Sequence, residues 1–192
     1  MFTTTTTDKG RSVIVHIIAN IVSLIQYLTA LKSEPEFLRL QKCPCCGKAK
    51  PRLHGCYPRK ADRGSKPGES LNPISIQRFF CPDCRRTSSV LPECIPPKRW
   101  YLWDVQQAAL LLLLAGKSLN AAAKEIMPSR HTVKRWLTRL KEQLHLHKDV
   151  LCNHFIELGR TVGFIGFWQE FFNNKLLSTA MRLSYAAGVP IP

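Results

Sequence analysis

Two cysteine pairs constrain this chain more than any other feature. Cys43-Pro44-Cys45-Cys46-Gly47 and Cys81-Pro82-Asp83-Cys84-Arg85 each hold two thiols with two residues between them. One tight turn can then aim both sulfurs at a single ion, and two such turns complete a tetrahedral four-thiolate site for one structural Zn2+. Pro44 and Pro82 stiffen the turns at matching positions, and Gly47 stands where a positive-φ backbone is needed. The predicted ligands are Cys43, Cys46, Cys81 and Cys84. A disulfide framework is the competing reading, but paired C-x-x-C turns without a credible secretory signal favour a reducing compartment and a metal. Cys45, Cys56 and Cys94 read as small buried side chains or spare thiols.

Thirty-four residues separate Cys46 from Cys81. Within them Pro58 to Pro73 reads as a polar loop, flanked by strand-like composition at Arg52 to Tyr57 and Ile74 to Phe80, and Thr87 to Leu91 offers a third strand. This is the layout of a zinc ribbon. Four thiolates around a divalent cation carry a local charge of about −2, so Lys48, Arg85 and Arg86 have a structural reason to be basic as well as a DNA-binding one. Such a site leaves no open coordination position and is expected to hold the fold together rather than catalyse.

The charge balance points to a partner. The chain carries 28 Lys and Arg against 13 Asp and Glu, a net +15 over 192 residues, which favours a polyanion such as nucleic acid. The excess is uneven, with twelve basic against four acidic residues in 43–99, eight against four in 100–149, and near balance outside. Length suits one ordinary domain or two small ones, and 45% hydrophobic residues with only 21% charged exclude a disordered tail.

Val13 to Leu31 is long and apolar enough to resemble a membrane span or export signal, but His16, Asn20, Ser23 and Tyr27 recur at steps of four, three and four. That spacing draws a polar stripe down one helical face and predicts an amphipathic packing or dimerisation helix, with Ile14, Ile17, Ile18, Ile21, Ile25 and Leu28 on the remaining surface. The Thr3 to Thr7 run is expected to be disordered.

After Pro96-Pro97 the pattern turns helical. Leu102 to Ala115 reads as a core helix stopped by Gly116; Ser118 caps a second over Leu119 to Ile126, and Ser129 a third over Arg130 to about His145. In the third, Val133, Trp136, Leu137, Leu140 and Leu144 share one face. Arg130, His131, Lys134, Arg135, Thr138, Arg139 and Lys141 point elsewhere, with Glu142 the one carboxylate among them. A basic outer face of this kind suits a helix that enters a major groove.

The stretch AAAKEIMPSRHTVKRWLTRL resembles the second and third helices of bacterial helix-turn-helix domains of the transposase and resolvase type. The resemblance implies that Ala123 packs between helices and that Ser129 to Thr132 start the recognition helix; Met127 stands where the family usually has Gly. Upstream, CPCCG, LHGCYPRK and RFFCPDCRRTSSVLPECIPPKRWY are similar to the zinc-ribbon region preceding that unit in insertion-sequence transposases. Together these imply double-stranded DNA as partner, read by Arg130, His131, Lys134 and Arg135 at base edges. Thr138 lies on the same helix, while Arg139, Lys141, Arg59, Lys60, Arg85 and Arg86 meet phosphates.

Transposase chemistry of the usual kind needs three carboxylates holding two Mg2+ ions. Past Asp149 there is no Asp, and Glu157 and Glu170 are the only acids in the last 43 residues. His145-Leu146-His147 with Tyr185 could suggest a second nicking chemistry, but the pair ends a helical run where residues two apart diverge by about 200°. These histidines, with His154 and Cys152, are expected to be surface residues beside a helix end, and no catalytic residue is assigned. Phe164, Phe167, Trp168, Phe171 and Phe172 form an aromatic stripe predicted as core or dimer contact.

The expected fold is mainly α with a small β zinc ribbon: an N-terminal amphipathic helix in 1–42, the ribbon in 43–97, a three-helix helix-turn-helix unit in 98–149 and a helical C-terminal tail in 150–192. The expected protein is cytoplasmic and nucleoid-associated, binds DNA without cutting it, and dimerises, if at all, through the N-terminal helix or aromatic tail. It takes neither membrane nor small-molecule substrate. Two alternatives stand: a DNA-recognition subunit or fragment of an active transposase, and a zinc-ribbon adaptor or transcriptional regulator.

Overall fold

The computed structural model of the chain describes residues 14–48, 50–63 and 68–192. They divide into two units, one ending at Leu102 and the other spanning Trp103–Pro192. Two units replace the four segments read from the sequence. The N-terminal segment supplies a strand and a helix to the cysteine-bearing sheet, and the C-terminal helices share one core with those before them.

In the N-terminal unit, β1 (Ile14–Ile18), β2 (Arg52–Arg59), β3 (Ile74–Phe80) and β4 (Thr87–Pro92) form one sheet in the order β1-β4-β3-β2. β1 lies parallel to β4, and the other pairs are antiparallel. The strands on either side of the cysteine pairs thus lie where composition placed them, with β2 continuing two residues further to Arg59. A register shift between Leu53 and Cys56 coincides with Gly55 at φ +78°, a backbone shape that glycine adopts at bulges without side-chain strain.

The predicted N-terminal helix is corrected. Its first half is β1, since β-branched Ile14, Val15, Ile17 and Ile18 fit a pleated ladder better than a helix. The chain turns at Asn20, whose φ of 67° is left-handed and whose N–H donates to the buried Glu93 carboxylate at 3.0 Å. Only then does α1 (Leu24–Ser33) begin, started by a capping box between Ser23 and Gln26. The polar stripe dissolves with the helix. Tyr27 is fully buried and donates its hydroxyl to the Ser75 carbonyl at 3.0 Å, whereas Ile25 is 69% exposed. Val13 and the Thr3–Thr7 run lie outside the described residues, among which no helix is long and apolar enough to cross a membrane.

Strand alternation sorts the sheet's two faces. Ile74, Ile76 and Leu91 pack with Leu24 and Tyr27 of α1 and with Ile95, while Phe79 and Val90 on the opposite face pack with Leu40. The register places Arg78 opposite Ser89, Tyr57 opposite Ile76 and Arg59 opposite Ile74. One face therefore runs from apolar to strongly basic.

The C-terminal unit is helical: α2 (Trp103–Leu114), α3 (Leu119–Glu125), α4 (Arg130–Glu142), α5 (Leu144–His154), α6 (Gly163–Asn174) and α7 (Leu177–Ala186). Ser118 and Ser129 cap α3 and α4 as predicted, accepting from the Ala121 and Thr132 N–H groups. The third helix ends at Glu142 rather than near His145, and a separate α5 follows. The aromatic stripe takes the core role. Phe167, Trp168 and Phe171 are buried among Leu110, Leu140, Leu151 and Met181, with Phe164 and Phe172 packed against them.

His147 is also corrected, from surface to core. It is fully buried on α5, its Nδ1 2.8 Å from Ser184 Oγ on α7 and its ring edge-on to Trp168. Burial, with a smaller contribution from His145, lowers its pKa from 6.5 to about 4. Between those values the unfolded chain binds a proton that the folded one does not, so stability is complete above pH 6.5 and falls as the pH drops toward 4. Acid unfolding of the C-terminal unit followed by circular dichroism should show a loss of about 3 kcal/mol over that window. His147→Asn should flatten that slope, and an unchanged slope would remove His147 as its cause.

Candidate metal centre and basic surfaces

Sheet register brings the two cysteine turns together. The second turn, Cys81 to Arg86, joins β3 to β4 and is closed by the Cys81 N–H donating to the Arg86 carbonyl at 2.9 Å. The first turn is closed by the Gly47 N–H donating to the Cys43 carbonyl at 2.9 Å, and the chain then enters β2. Because Arg52 pairs with Phe80, the start of β2 lies beside the end of β3, and both turns sit at the same edge of the sheet. The turns share a backbone device as well. The residue after the second cysteine is left-handed in each, Gly47 at φ 71° and Arg85 at φ 55°, which costs an ordinary side chain roughly 1–2 kcal/mol and glycine almost nothing.

The four predicted sulfurs meet. Sγ of Cys43 is 3.6 Å from Cys84 and Sγ of Cys46 is 3.7 Å from Cys81, and all four lie within 4.8 Å of one another. Sulfurs held about 2.3 Å from a common tetrahedral centre stand about 3.8 Å apart, whereas a disulfide would bring them to about 2.05 Å. The group can hold one metal ion. The Cys45 N–H donates to Cys43 Sγ at 3.4 Å, a bond that favours the thiolate. Burial pushes the thiols of both Cys43 and Cys84 up, a penalty on the charged form that a bound cation would offset with release of protons. Cys45 is half-buried, Cys56 exposed and Cys94 buried, and none joins the cluster.

The residues predicted to face DNA fall into three groups. On α4, Arg130, His131, Lys134, Arg135, Thr138 and Lys141 are exposed and Arg139 half-buried, while Val133, Trp136 and Leu140 are buried. Among the described residues none of the α4 cations is ion-paired with a carboxylate; Lys141 Nζ lies 5.6 Å from the Phe164 ring centre. Arg85 and Arg86 are exposed beside the second cysteine turn. Arg59 departs from expectation: its guanidinium donates to the carbonyls of Pro96 and of Arg99, the latter at 2.7 Å. Those bonds tie it to the 96–99 segment, and burial lowers its pKa.

A second basic surface joins Arg59 and Lys60, two of the predicted phosphate contacts, to cations that the sequence does not group with them. Arg59, Lys60, Arg63, Arg78, Lys98 and Arg99 line a cleft of about 680 Å³ in the N-terminal unit, together with Trp100. They come from two strands and two loops, so no window of sequence contains them. The nearest signal was the Lys98-Arg99-Trp100 run, basic residues beside an aromatic one.

Residues 43–136 match a family described as a domain of unknown function (DUF6431), a stretch that takes in all four clustered cysteines and runs into α4. No curated protein and no solved structure matches the chain.

Proposed function

We propose that this chain is a zinc-structured protein that binds duplex DNA through α4 and does not cut it. The observation that carries the reading is the division of α4 into a buried apolar face and an outer face bearing Arg130, His131, Lys134, Arg135 and Thr138. A capped helix that displays cations free of carboxylate partners on one side suits a major groove, where arginines read guanine and phosphates fix register. α3 packs against α4, as the first helix of a helix-turn-helix does, in keeping with the resemblance to transposase DNA-recognition regions. Arg139, Lys141, Arg85 and Arg86 would meet phosphates.

Zinc is the metal that fits four thiolates in tetrahedral array, since it has no geometric preference of its own and forms closed structural sites with sets of four cysteines. Cys43, Cys46, Cys81 and Cys84 would hold it and draw the two turns onto one sheet edge. Bound there it supplies folding energy rather than chemistry, because four protein ligands leave no position for water or substrate.

Electrophoretic shift of random duplex DNA tests the DNA reading. The wild-type chain should retard duplex without Mg2+-dependent nicking, and Lys134→Gln with Arg135→Gln should weaken retardation by at least about tenfold. Nicking on addition of a partner chain would instead favour a transposase subunit. Absence of any retardation would favour a protein-interaction adaptor.

A further inference from the structure

The cleft in the N-terminal unit lies on the sheet face that also bears the core. Arg78 and Ser89 are register partners on β3 and β4, Arg59 and Lys60 lie at the end of β2, and Lys98 to Trp100 form the opposing wall. None of the described lining residues carries a carboxylate, and Lys60, Arg63, Arg78 and Lys98 bring positive charge to one concavity. Ser89 lies beneath this surface, 1% exposed, its hydroxyl without a hydrogen-bond partner among the described residues. At the rim Trp100 is 66% exposed, with the Arg63 guanidinium stacked 3.9 Å from its ring centre.

From this arrangement we infer that the cleft binds single-stranded nucleic acid, taking backbone phosphates on Lys60, Arg63, Arg78 and Lys98 and an unpaired base on the open side of Trp100. Phosphate oxygens accept from these cations. A flat ring beside a cationic groove is the pairing that unpaired strands require, because every exposed base has a π-face to stack. The size of the cleft suits a small bound unit rather than a duplex, in which base faces are hidden. The inference goes beyond the duplex-binding reading of α4 and uses none of its residues.

Fluorescence anisotropy of a short labelled oligo(dT) with the full chain tests it. The wild type should bind, and oligo(dT) should quench tryptophan emission, since Trp103, Trp136 and Trp168 are buried and Trp100 is the exposed indole. Trp100→Ala should weaken oligo(dT) binding by about tenfold while leaving the duplex shift unchanged, so failure of this site and of the α4 reading are separable. Lys60→Gln with Lys98→Gln should weaken binding and make the slope of log affinity against log salt shallower by about 1.4. The inference is overturned if oligo(dT) does not bind, or if both variants bind it as the wild type does. Binding of free nucleoside triphosphate but not the oligonucleotide, or equal binding of poly-glutamate unaffected by Trp100→Ala, would also overturn it.

Discussion

Cys81→Ser is expected to abolish stoichiometric metal binding and melt the sheet unit while leaving the helical unit folded. Cys81 is 1% exposed and its sulfur is 3.7 Å from Cys46, so serine would leave three thiolates around the ion and a poorer oxygen ligand. Structural zinc contributes about 10–16 kcal/mol of apparent binding energy at neutral pH in small domains, as much as or more than the roughly 5–15 kcal/mol by which a folded domain is stable. The sheet unit needs that contribution because its apolar core is divided between two faces of a four-stranded sheet. The helical unit draws its core from residues 103–191 alone and should persist. Metal analysis of the purified protein, with thermal unfolding by near-ultraviolet circular dichroism before and after a strong chelator, measures both effects. Exposed Cys56→Ser should keep the metal. If Cys81→Ser melts with the wild type, or the chelator does not shift the transition, the cluster does not hold the sheet together.

Duplex binding should weaken steeply with salt. If α4 and the flanking cations neutralise about six phosphates, log affinity falls against log salt with a slope near −5, or roughly a thousandfold between 50 and 200 mM. The effect is large because releasing counterions from the duplex, rather than forming contacts, supplies most of the non-specific affinity. A slope near zero would mean that the exposed face of α4 is a solvated helix surface and not a nucleic-acid interface. Titrations at several salt concentrations with one labelled duplex give the slope directly, and Lys141→Gln should make it shallower by about 0.9, the share of one phosphate.

Legibility varied with the range of the forces involved. Both serine caps, the Ile74–Phe80 strand and the two C-x-x-C turns follow from neighbours a few residues apart, and the structure has them as read. The stretch 14–31 did not. Its apolar residues fit a helical period and a strand alike, and β4, more than seventy residues away in sequence, offered an edge for Ile14–Ile18 to pair with. His147 was misplaced because the cavity that takes it is built by Ser184 and Trp168, on helices whose packing no local window contains. Arg59 looked like one more surface cation until the 96–99 segment folded its carbonyls onto it.

The cysteine spacing by itself determined that two turns could present four thiols, because a C-x-x-C turn is closed by local backbone geometry. That the two turns share one point was decided by sheet pairing: Arg52 against Phe80 sets both at one edge, and only then are the sulfurs within reach of a single ion. The neighbouring β3–β4 pairing sets Arg78 against Ser89, and the sheet as a whole gathers scattered cations into one cleft. Charge at a single residue is written in the sequence, but a concentration of charge depends on distances that only the folded chain fixes.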